Sequence, residues 1–389
     1  MIRCTVGVMA YNEEHNIVQV LHALLNQRVS LCSIEEIIVV ASGCTDRTVE
    51  LARQVAQSYP LVTVDVQARR LGKAVAINRL MSIARCEVIV LVGADTLPDP
   101  TAFDHLVAPF EDPSVGMTGA RIVPLNDPRT FLGFTVQMLW QVHHLMALRW
   151  PKLGELVACR KVIAQLPTNS ATDEAALEAL ISAQGYRLVY APDAVVYNRG
   201  PETLGDFLIQ RRRIFAGHLH IAHTYQYVAA SVPLSHLVVL VSEAVKRFPS
   251  LLPWMAGALF LECWGRALGC LDYMLGHSHH IWKPSPSTKR VQENRQPFTL
   301  VAFQYGADSI TPDRLMRITR RIPSSQGMLF WWDHGRQQVM FMIPTGQLTP
   351  PALQDHTQKL ASYISCDGKS TNSTVLSSRV VQFTEPAGL

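Results

Sequence analysis

Charged side chains are scarce in this sequence. They make up 17% of its 389 residues, whereas hydrophobic residues make up 48%, and the mean hydropathy is +0.12. A composition this apolar predicts that part of the protein surface meets lipid. The net charge is only +4 and no long basic tail is present, so nucleic acid is not an expected partner.

Cysteine pairs at metal-binding or redox spacing are also missing. The eight cysteines are dispersed, without a C-x-x-C pair and without His/Cys ligand spacing. This pattern argues against a zinc site and against a disulfide framework, and it predicts reduced thiols. The sequence opens on a strand-like segment, without the basic and long apolar stretches of a secretory signal. We therefore expect a cytoplasmic location.

Two glycine-rich nucleotide motifs are absent. No G-x-G-x-x-G follows the first strand and no G-x-x-x-x-G-K-[ST] occurs, which excludes a dehydrogenase and a P-loop enzyme of the usual kinds. Strand and helix patterns alternate instead. Strands are predicted at residues 2–10, 36–41, 62–67 and 87–92, and helices at 14–25, 47–58 and 73–84. This order predicts an α/β domain with a parallel sheet.

Polar residues follow three of the predicted strands. Asn12 and Glu13 come after the first strand, residues 42–46 after the second, and residues 93–95 after the fourth. In a parallel sheet flanked by helices, ligands bind beyond the carboxyl ends of the strands. The sequence therefore predicts one ligand site at this rim of the sheet.

The chain changes character after residue 225. Residues 248–261 form an uncharged apolar run of 14 residues, which is shorter than the roughly 20 residues that a spanning helix needs. Glu262 and Arg266 follow at i, i+4 spacing and can pair. We predict a membrane-associated helical region over 226–282, interfacial or re-entrant rather than spanning. A linker is predicted over 283–296 and a flexible tail over 367–389. Between them, residues 297–366 are predicted to form a small α+β ferredoxin-like domain, with strands at 298–304, 328–332 and 338–343 and helices at 312–322 and 351–364.

Several motifs between residues 5 and 215 occur in the order of one enzyme family. They are AYNEE at 10–14, VVASGCTDRT at 39–48, Gly72-Lys73 with Asn78, Gly93-Ala94-Asp95, TDEAAL at 172–177, YAPDA at 190–194 and QRRRI at 210–214. Together they resemble the family 2 inverting glycosyltransferases with the GT-A fold. The resemblance implies a Rossmann-like nucleotide-sugar-binding domain over residues 1–225 and a hexosyltransferase-type activity.

The resemblance implies a divalent cation, Mg²⁺ or Mn²⁺, held by Asp95. A departing nucleoside diphosphate develops negative charge, which a cation stabilises. Asp95 stands at the last acid of the family's D-x-D motif, whose first acid is replaced here by Gly93. As an alternative, Asp95 could serve only to cap the turn before Pro98.

Four residues of the rim are expected to bind the nucleotide-sugar donor. The resemblance places Asp46 against the edge of the base, uracil or an equivalent, with Asn12 and Glu13 lining the same pocket. Lys73 is expected near the phosphates. Two alternatives remain open: Asp46 or Thr45 could cap the following helix, and Lys73 could be an exposed lysine at a helix start.

The resemblance places the general base at Glu174, with Asp173 as second choice. Direct displacement with inversion needs a base that removes the proton of the acceptor hydroxyl. Two adjacent acids at the start of a helix also favour its dipole without any catalysis, which is the structural alternative.

Gln210 and Arg213 resemble the family's Q-x-x-R-W motif, in which the arginine reaches the diphosphate. The tryptophan of that motif is replaced by Ile214, so stacking of the acceptor is not expected at this position. Arg211 and Arg212 are predicted to face anionic lipid headgroups instead.

The carboxyl-terminal residues faintly resemble a degenerate diguanylate-cyclase domain, with Gly335-Arg336-Gln337-Gln338 in place of its metal-binding motif; no cyclase activity is expected. The whole sequence predicts transfer of a sugar, UDP-linked in our first choice, to a lipid-linked or polysaccharide acceptor at the cytoplasmic face of the inner membrane. Two alternatives are an inactive assembly subunit of an exopolysaccharide system and a nucleotidyltransferase.

Overall fold

The computed structural model describes residues 1–127, 130–168, 171–233 and 252–277, residues 355 and 358, and four strands near the carboxyl terminus. The chain divides into two compact units, Met1–Val291 and Gln292–Leu389. The predicted linker and the predicted helices at 312–322 and 351–364 lie outside the described residues, apart from 355 and 358.

The first unit is built on an eight-stranded mixed sheet. Its strands lie in the order β3-β2-β1-β4-β7-β6-β8-β5. They are β1 (Ile2–Ala10), β2 (Cys32–Ser42), β3 (Val62–Gln67), β4 (Val88–Gly93), β5 (Thr96–Pro98), β6 (Val115–Pro124), β7 (Leu156–Arg160) and β8 (Arg187–Asn198). Strands β1 to β4 are parallel to one another, and β7 is antiparallel to both β4 and β6.

Eight described α-helices belong to this unit. They are α1 (Ile17–Leu25), α2 (Thr48–Ser58), α3 (Lys73–Ile83), α4 (Ala102–Val107), α5 (Phe131–Ala147), α6 (Asp173–Ala183), α7 (Leu204–Tyr225) and α8 (Leu252–Met274), and a 3₁₀ turn follows α4 at Ala108–Glu111. The predicted alternation of strand and helix over residues 2–93 is confirmed. The predicted first helix begins later, at Ile17.

The core explains why this alternation was visible in the sequence. Strand β4 has its five residues from Val88 to Val92 buried, and its neighbour β1 is equally apolar at Val6 and Val8. Helices bury one side only; α1, for example, turns Leu21 and Leu24 inward. Continuous apolar strands beside one-sided helices are the pattern of a sheet covered on both faces.

Helix α8 packs against α7 through small residues and ion pairs. A Cβ atom added at Gly265 would lie 2.6 Å from Cβ of Arg211, so glycine allows the two helices to approach closely. Arg211 pairs with buried Glu262 at 2.6 Å, and Glu262 also pairs with Arg266 at 2.8 Å. Arg212 forms a two-bond ion pair with buried Asp272.

These contacts correct the prediction for Arg211 and Arg212. Both guanidinium groups face carboxylates of α8 rather than lipid headgroups. The local motif could not reveal this, because both partners lie more than 50 residues further along the chain. Among the described helices, none combines the length and the hydropathy that crossing a membrane requires.

The second unit contains a four-stranded antiparallel sheet. Its strands are β9 (Phe298–Gln304), β10 (Met328–Asp333), β11 (Gln338–Pro344) and β12 (Ser377–Gln382), in the order β10-β11-β9-β12. The first three stand where strands were predicted. Strand β12 lies in the segment predicted as a flexible tail, and it pairs with β9. Residues 335–337 of the cyclase-like motif lie outside the described residues.

A candidate active site at the carboxyl ends of the strands

A cavity of about 600 Å³ opens beyond the carboxyl ends of β1, β2 and β4. Seven of the nine site residues predicted from the sequence line it: Glu13, Lys73, Asp95, Asp173, Glu174, Gln210 and Arg213. They come from the ends of two strands, β1 and β4, and from helices α3, α6 and α7. The fold therefore gathers residues that lie up to 200 positions apart in the sequence.

Asn12 and Asp46 are not part of the cavity wall. The amide of Asn12 donates to Thr45 Oγ1 at 3.0 Å and accepts from the Thr45 backbone N–H at 2.8 Å. The Asp46 carboxylate accepts from the backbone N–H groups of Thr48, at 3.0 Å, and Glu14, at 3.1 Å. Both side chains thus connect the turn after β1 to the start of α2 by hydrogen bonds. For Asp46, this is the structural alternative raised above, in which the carboxylate caps the helix.

Lys73 and Glu174 form an ion pair inside the cavity. Lys73 Nζ donates to Glu174 Oε1 at 2.5 Å, and each side chain is about one-quarter exposed. Burial by itself raises the pKa of Glu174, but the ammonium group of Lys73 outweighs it and the net pKa is lowered. Glu174 is therefore ionised and committed to the lysine.

Asp173 has a different environment. It is 5% exposed, lines the cavity, and its Oδ1 atom has no hydrogen-bond partner. Burial raises the pKa of this carboxyl, and the charge of Glu174 raises it further, against the lowering effect of Lys73. The two adjacent acids thus have pKa values shifted in opposite directions, which is the pattern of groups with different roles.

Arg213 reaches the cavity from the middle of α7. Its guanidinium donates to the backbone carbonyl of Ala171 at 3.4 Å, just before α6. Burial lowers the pKa of Arg213, while nearby acids oppose that effect. These acids, in order of effect, are Glu174, Asp173, Glu155 and Asp95.

Glu155 is a cavity residue that the sequence analysis missed. It adopts a left-handed backbone conformation with φ of 60°, which is rare outside glycine. Burial raises the pKa of its carboxyl, and the neighbouring charge of Asp95 raises it further. The residue lies in a short connection without periodicity, so only the Gly154-Glu155 pair before a strand marked it.

Tyr11 and Arg70 form a second part of the wall that was not predicted. The Arg70 guanidinium lies 3.8 Å from the centre of the Tyr11 ring. Arg70 can approach because Gly43 has φ of 64° and no side chain; a Cβ there would lie 2.4 Å from Arg70 N. Beside them, the buried hydroxyl of Ser42 has no hydrogen-bond partner.

The cavity also has an apolar wall, which α5 and α7 form. Its residues are Val136, Leu139, Trp140, Met146, Phe207, Ile209 and Ile214. Trp140 stacks edge-on against His143 at 5.2 Å, and burial lowers the pKa of His143 so that this imidazole is neutral. The cavity thus joins a charged end to an apolar end.

Residues 5–179 match the family model described as Glycosyl transferase family 2. This segment is a family 2 glycosyltransferase domain. Its core is a mixed α/β sheet of the Rossmann-like kind, in which β1 to β4 are parallel to one another. The resemblance seen in the motifs is confirmed.

Two curated relatives of the glycosyltransferase domain are similar in sequence. The chain is 26% identical over 218 residues to the poly-beta-1,6-N-acetyl-D-glucosamine synthase of Staphylococcus aureus (strain COL), covering 52% of this chain and 51% of that protein. It is 24% identical over 236 residues to the probable glycosyltransferase YdaM of Bacillus subtilis (strain 168), covering 56% of each. The chain thus spans about half the length of the curated relatives it matches.

Two solved structures are also similar. The mannosyltransferase PcManGT from Pyrobaculum calidifontis, in complex with GDP-Man and Mn²⁺, is 26% identical with a TM-score of 0.47, covering 74% of this chain and 83% of that chain. The glucosyl-3-phosphoglycerate synthase from Mycobacterium tuberculosis, in complex with Mn²⁺, UDP and phosphoglyceric acid, is 20% identical with a TM-score of 0.41. That match covers 56% of this chain and 78% of the synthase.

The charged end of the cavity suits a hard divalent cation. Asp95, Glu155, Asp173 and Glu174 bring four carboxyl groups to this part of the lining, beside the cations Lys73 and Arg213. Within the described part of the chain, no three His, Cys, Asp or Glu side chains are grouped to coordinate a metal by themselves. Mg²⁺ is usually held by one or two carboxylates together with substrate phosphates, so Asp95 and a bound diphosphate fit such an ion.

Proposed function

We propose that this protein transfers a sugar, with inversion, from a nucleoside diphosphate sugar to a lipid-linked or polysaccharide acceptor. UDP is our first choice for the nucleotide, and the proposed location is the cytoplasmic face of the inner membrane. A bound Mg²⁺ or Mn²⁺ would neutralise charge that develops on the leaving diphosphate. The remaining steps fall to side chains of this chain.

The observation that carries the proposal is the gathering of acids and bases at one end of the cavity. Asp95 would face a bound diphosphate, and the cations Lys73 and Arg213 line the same cavity. Fixed cations aimed at developing charge in a water-poor site stabilise a transition state more strongly than the same charges in water. Departure of a nucleoside diphosphate needs positive charges of this kind beside the leaving group.

We assign the nucleotide base to the part of the wall formed by Tyr11, Arg70 and Ser42. The aromatic ring and the guanidinium provide flat surfaces for stacking, and the buried Ser42 hydroxyl has a hydrogen bond still to make. Glu13, 8% exposed, lines the same region. Asp46 would act only indirectly, because its carboxylate holds the turn.

We assign the general base to Asp173 ahead of Glu174. A base needs a free oxygen within reach of the acceptor and a pKa near the working pH. Asp173 has a buried oxygen without a partner and a raised pKa, whereas Glu174 is ion-paired with Lys73. Glu174 then orients Lys73 toward the phosphates.

The apolar wall supports an acceptor that carries a lipid or presents an apolar sugar face. Helix α8 adds an exposed apolar strip at helical spacing: Phe260, Trp264, Leu271 and Met274 are between 49% and 75% exposed. An amphipathic helix of this kind binds the membrane interface through its apolar side. Such placement would bring a lipid-linked acceptor to the cavity.

The test is release of nucleoside diphosphate from a panel of nucleotide sugars by the full-length protein in detergent, with Mn²⁺ and a lipid extract. The Asp95→Ala and Asp173→Asn variants should lose release, whereas Glu111→Gln, at an exposed site away from the cavity, should keep it. No release from any donor, by a protein that is folded and binds UDP, would favour the assembly-subunit alternative. Release of pyrophosphate from a nucleoside triphosphate would favour the nucleotidyltransferase.

A further inference from the structure

The family pattern has two acids at the end of β4, and this chain has one. Gly93 stands in place of the first acid, and Asp95 remains. A Cβ atom at position 93 would lie 2.6 Å from Asp95 Oδ1. The carboxylate of Asp95 therefore uses space that a side chain at position 93 would occupy.

The neighbouring strand supplies a carboxylate at the same height. Strands β4 and β7 are antiparallel, with Leu91 opposite Val157 and Val92 opposite Leu156. Glu155 directly precedes β7 and leaves the strand through its left-handed backbone, and Asp95 follows the end of β4. Both side chains line the cavity, so a carboxylate from Glu155 is available near the place that an acid at 93 would serve.

The backbone at Glu155 has a conformation that costs free energy for a residue with a side chain. Its φ of 60° is one that glycine adopts freely and that glutamate disfavours. The connection before β7 is held in place by a hydrogen bond, which the backbone N–H of Leu153 donates to the buried carboxylate of Glu178 at 2.6 Å. A disfavoured backbone kept in a cavity wall is typical of functional positions.

An independent feature of the same wall calls for a ligand. Asp173 Oδ1 is buried and lacks a hydrogen-bond partner, which is costly for a carboxylate unless something bound supplies the missing contact. A hydrated divalent cation with its diphosphate offers water molecules and charge to such an oxygen. The acids at 95 and 155 therefore line the same cavity as a buried carboxylate oxygen whose missing contact a bound ligand would supply.

We infer that Glu155 takes over the role of the acid missing at Gly93, so that Asp95 and Glu155, on neighbouring strands, bind the divalent cation together. This inference rests on the proposed function for the identity of the ion. Two carboxylates from the protein leave room in the coordination sphere for a diphosphate and water, which is the usual arrangement for Mg²⁺.

The experiment measures Mn²⁺ binding to the full-length protein by isothermal titration calorimetry, with Mn²⁺ alone and with Mn²⁺ in the presence of UDP. Wild type should bind one Mn²⁺, and Glu155→Gln and Asp95→Asn should each weaken binding at least tenfold. Glu111→Gln is the matched control and should bind like wild type. Circular dichroism of each variant confirms that it is folded.

Glu155→Gly separates the ligand role from a structural role. It removes the carboxylate and relieves the left-handed backbone, so we expect a higher thermal unfolding temperature together with the same loss of Mn²⁺ affinity.

Undiminished Mn²⁺ affinity of Glu155→Gln in both titrations, or no Mn²⁺ binding by wild type, would overturn the inference. Each result is distinguishable from failure of the proposed function. Weakened Mn²⁺ binding without diphosphate release from any donor leaves the cation site standing and removes the transferase. Diphosphate release by the wild type, with unchanged Mn²⁺ affinity of Glu155→Gln, supports the transferase and removes the role of Glu155 in the cation site.

Discussion

Lys73, at the first position of α3, donates a 2.5 Å hydrogen bond to Glu174 at the second position of α6, 101 residues away. The pair joins the two helices across the charged end of the cavity. It also sets the ionisation of its surroundings, because Lys73 lowers the pKa of Glu174 and opposes the burial that raises that of Asp173.

Replacing Lys73 by methionine should therefore lower both stability and diphosphate release. Glu174 would be left largely buried without its cation, and we expect a loss of about 2 kcal/mol in the free energy of unfolding, below the roughly 3–5 kcal/mol of fully buried pairs. Urea unfolding measures it. Arg79→Met on the same helix is the matched control: its pair with Asp65 is more exposed, and about 1 kcal/mol or less is expected. Equal losses would contradict the role given to the buried pair.

Asp173→Asn should lower the rate of transfer by about 10² to 10⁴, the range for removal of a general base. Glu174→Gln should act mainly on donor binding, because it loosens Lys73. Steady-state kinetics with varied donor separate kcat from KM. The opposite outcome, with kcat lost in Glu174→Gln and kept in Asp173→Asn, would restore the order that the sequence motif implied.

The pKa of Asp173, raised by burial to about 7, predicts a pH dependence of stability in the metal-free protein. Between the unfolded value of about 4 and this folded value, the native carboxyl binds more protons than the unfolded one. The free energy of unfolding should therefore contain a contribution that falls as pH rises through this window. Comparing wild type with Asp173→Asn in EDTA at pH 5 and pH 8 isolates it. A stability difference between the two proteins that is the same at both pH values would show that the carboxyl is not shifted.

Glu262→Ala should destabilise the protein strongly, by about 3 kcal/mol or more, because it leaves two arginines of α7 and α8 beside an empty buried position. Cys263→Ser, at the adjacent exposed position, is the matched control and should change little. Thermal unfolding measures both. A mild effect of Glu262→Ala would mean that Arg211 and Arg266 find other partners.

The exposed strip on α8 should govern attachment to lipid vesicles. Replacing Phe260 and Trp264 by serine should reduce co-sedimentation with vesicles containing phosphatidylglycerol, since each side chain buries apolar area in the interface. Arg212→Gln should leave attachment unchanged if the protein remains folded, because that guanidinium is paired with Asp272. Retained attachment in the double serine variant would place membrane contact elsewhere.

The sequence was most informative where the physics is local. The run of buried β-branched residues in β4 and the one-sided spacing in α1 depend on neighbours only a few residues away, and both were found. The rim of the sheet followed from chain order, and Glu13 and Asp95 of that rim line one cavity, whereas Asn12 and Asp46 do not.

Contacts between distant segments could not be predicted in the same way. The antiparallel register that sets Leu156, directly after Glu155, opposite Val92 depends on how β7 enters the sheet, which no pattern in residues 150–156 specifies. Arg211 and Arg212 were assigned to lipid because their acidic partners belong to a helix whose packing was unknown. Asp46 illustrates a third case, since a carboxylate after a strand can bind a ligand or hold a turn, and only the coordinates show the hydrogen bonds it makes.

Helix α7 is shared between two neighbours. Arg213 lines the cavity, whereas Arg211 and Arg212 form ion pairs with acids of α8. A shortened protein that stops at residue 225 would therefore keep every residue assigned to donor binding. It would, however, expose the surface of α7 that packs against the glycines of α8, and the guanidinium groups of Arg211 and Arg212 would lose their acidic partners. The smallest fragment suited to isolation and crystallisation accordingly ends no earlier than residue 277.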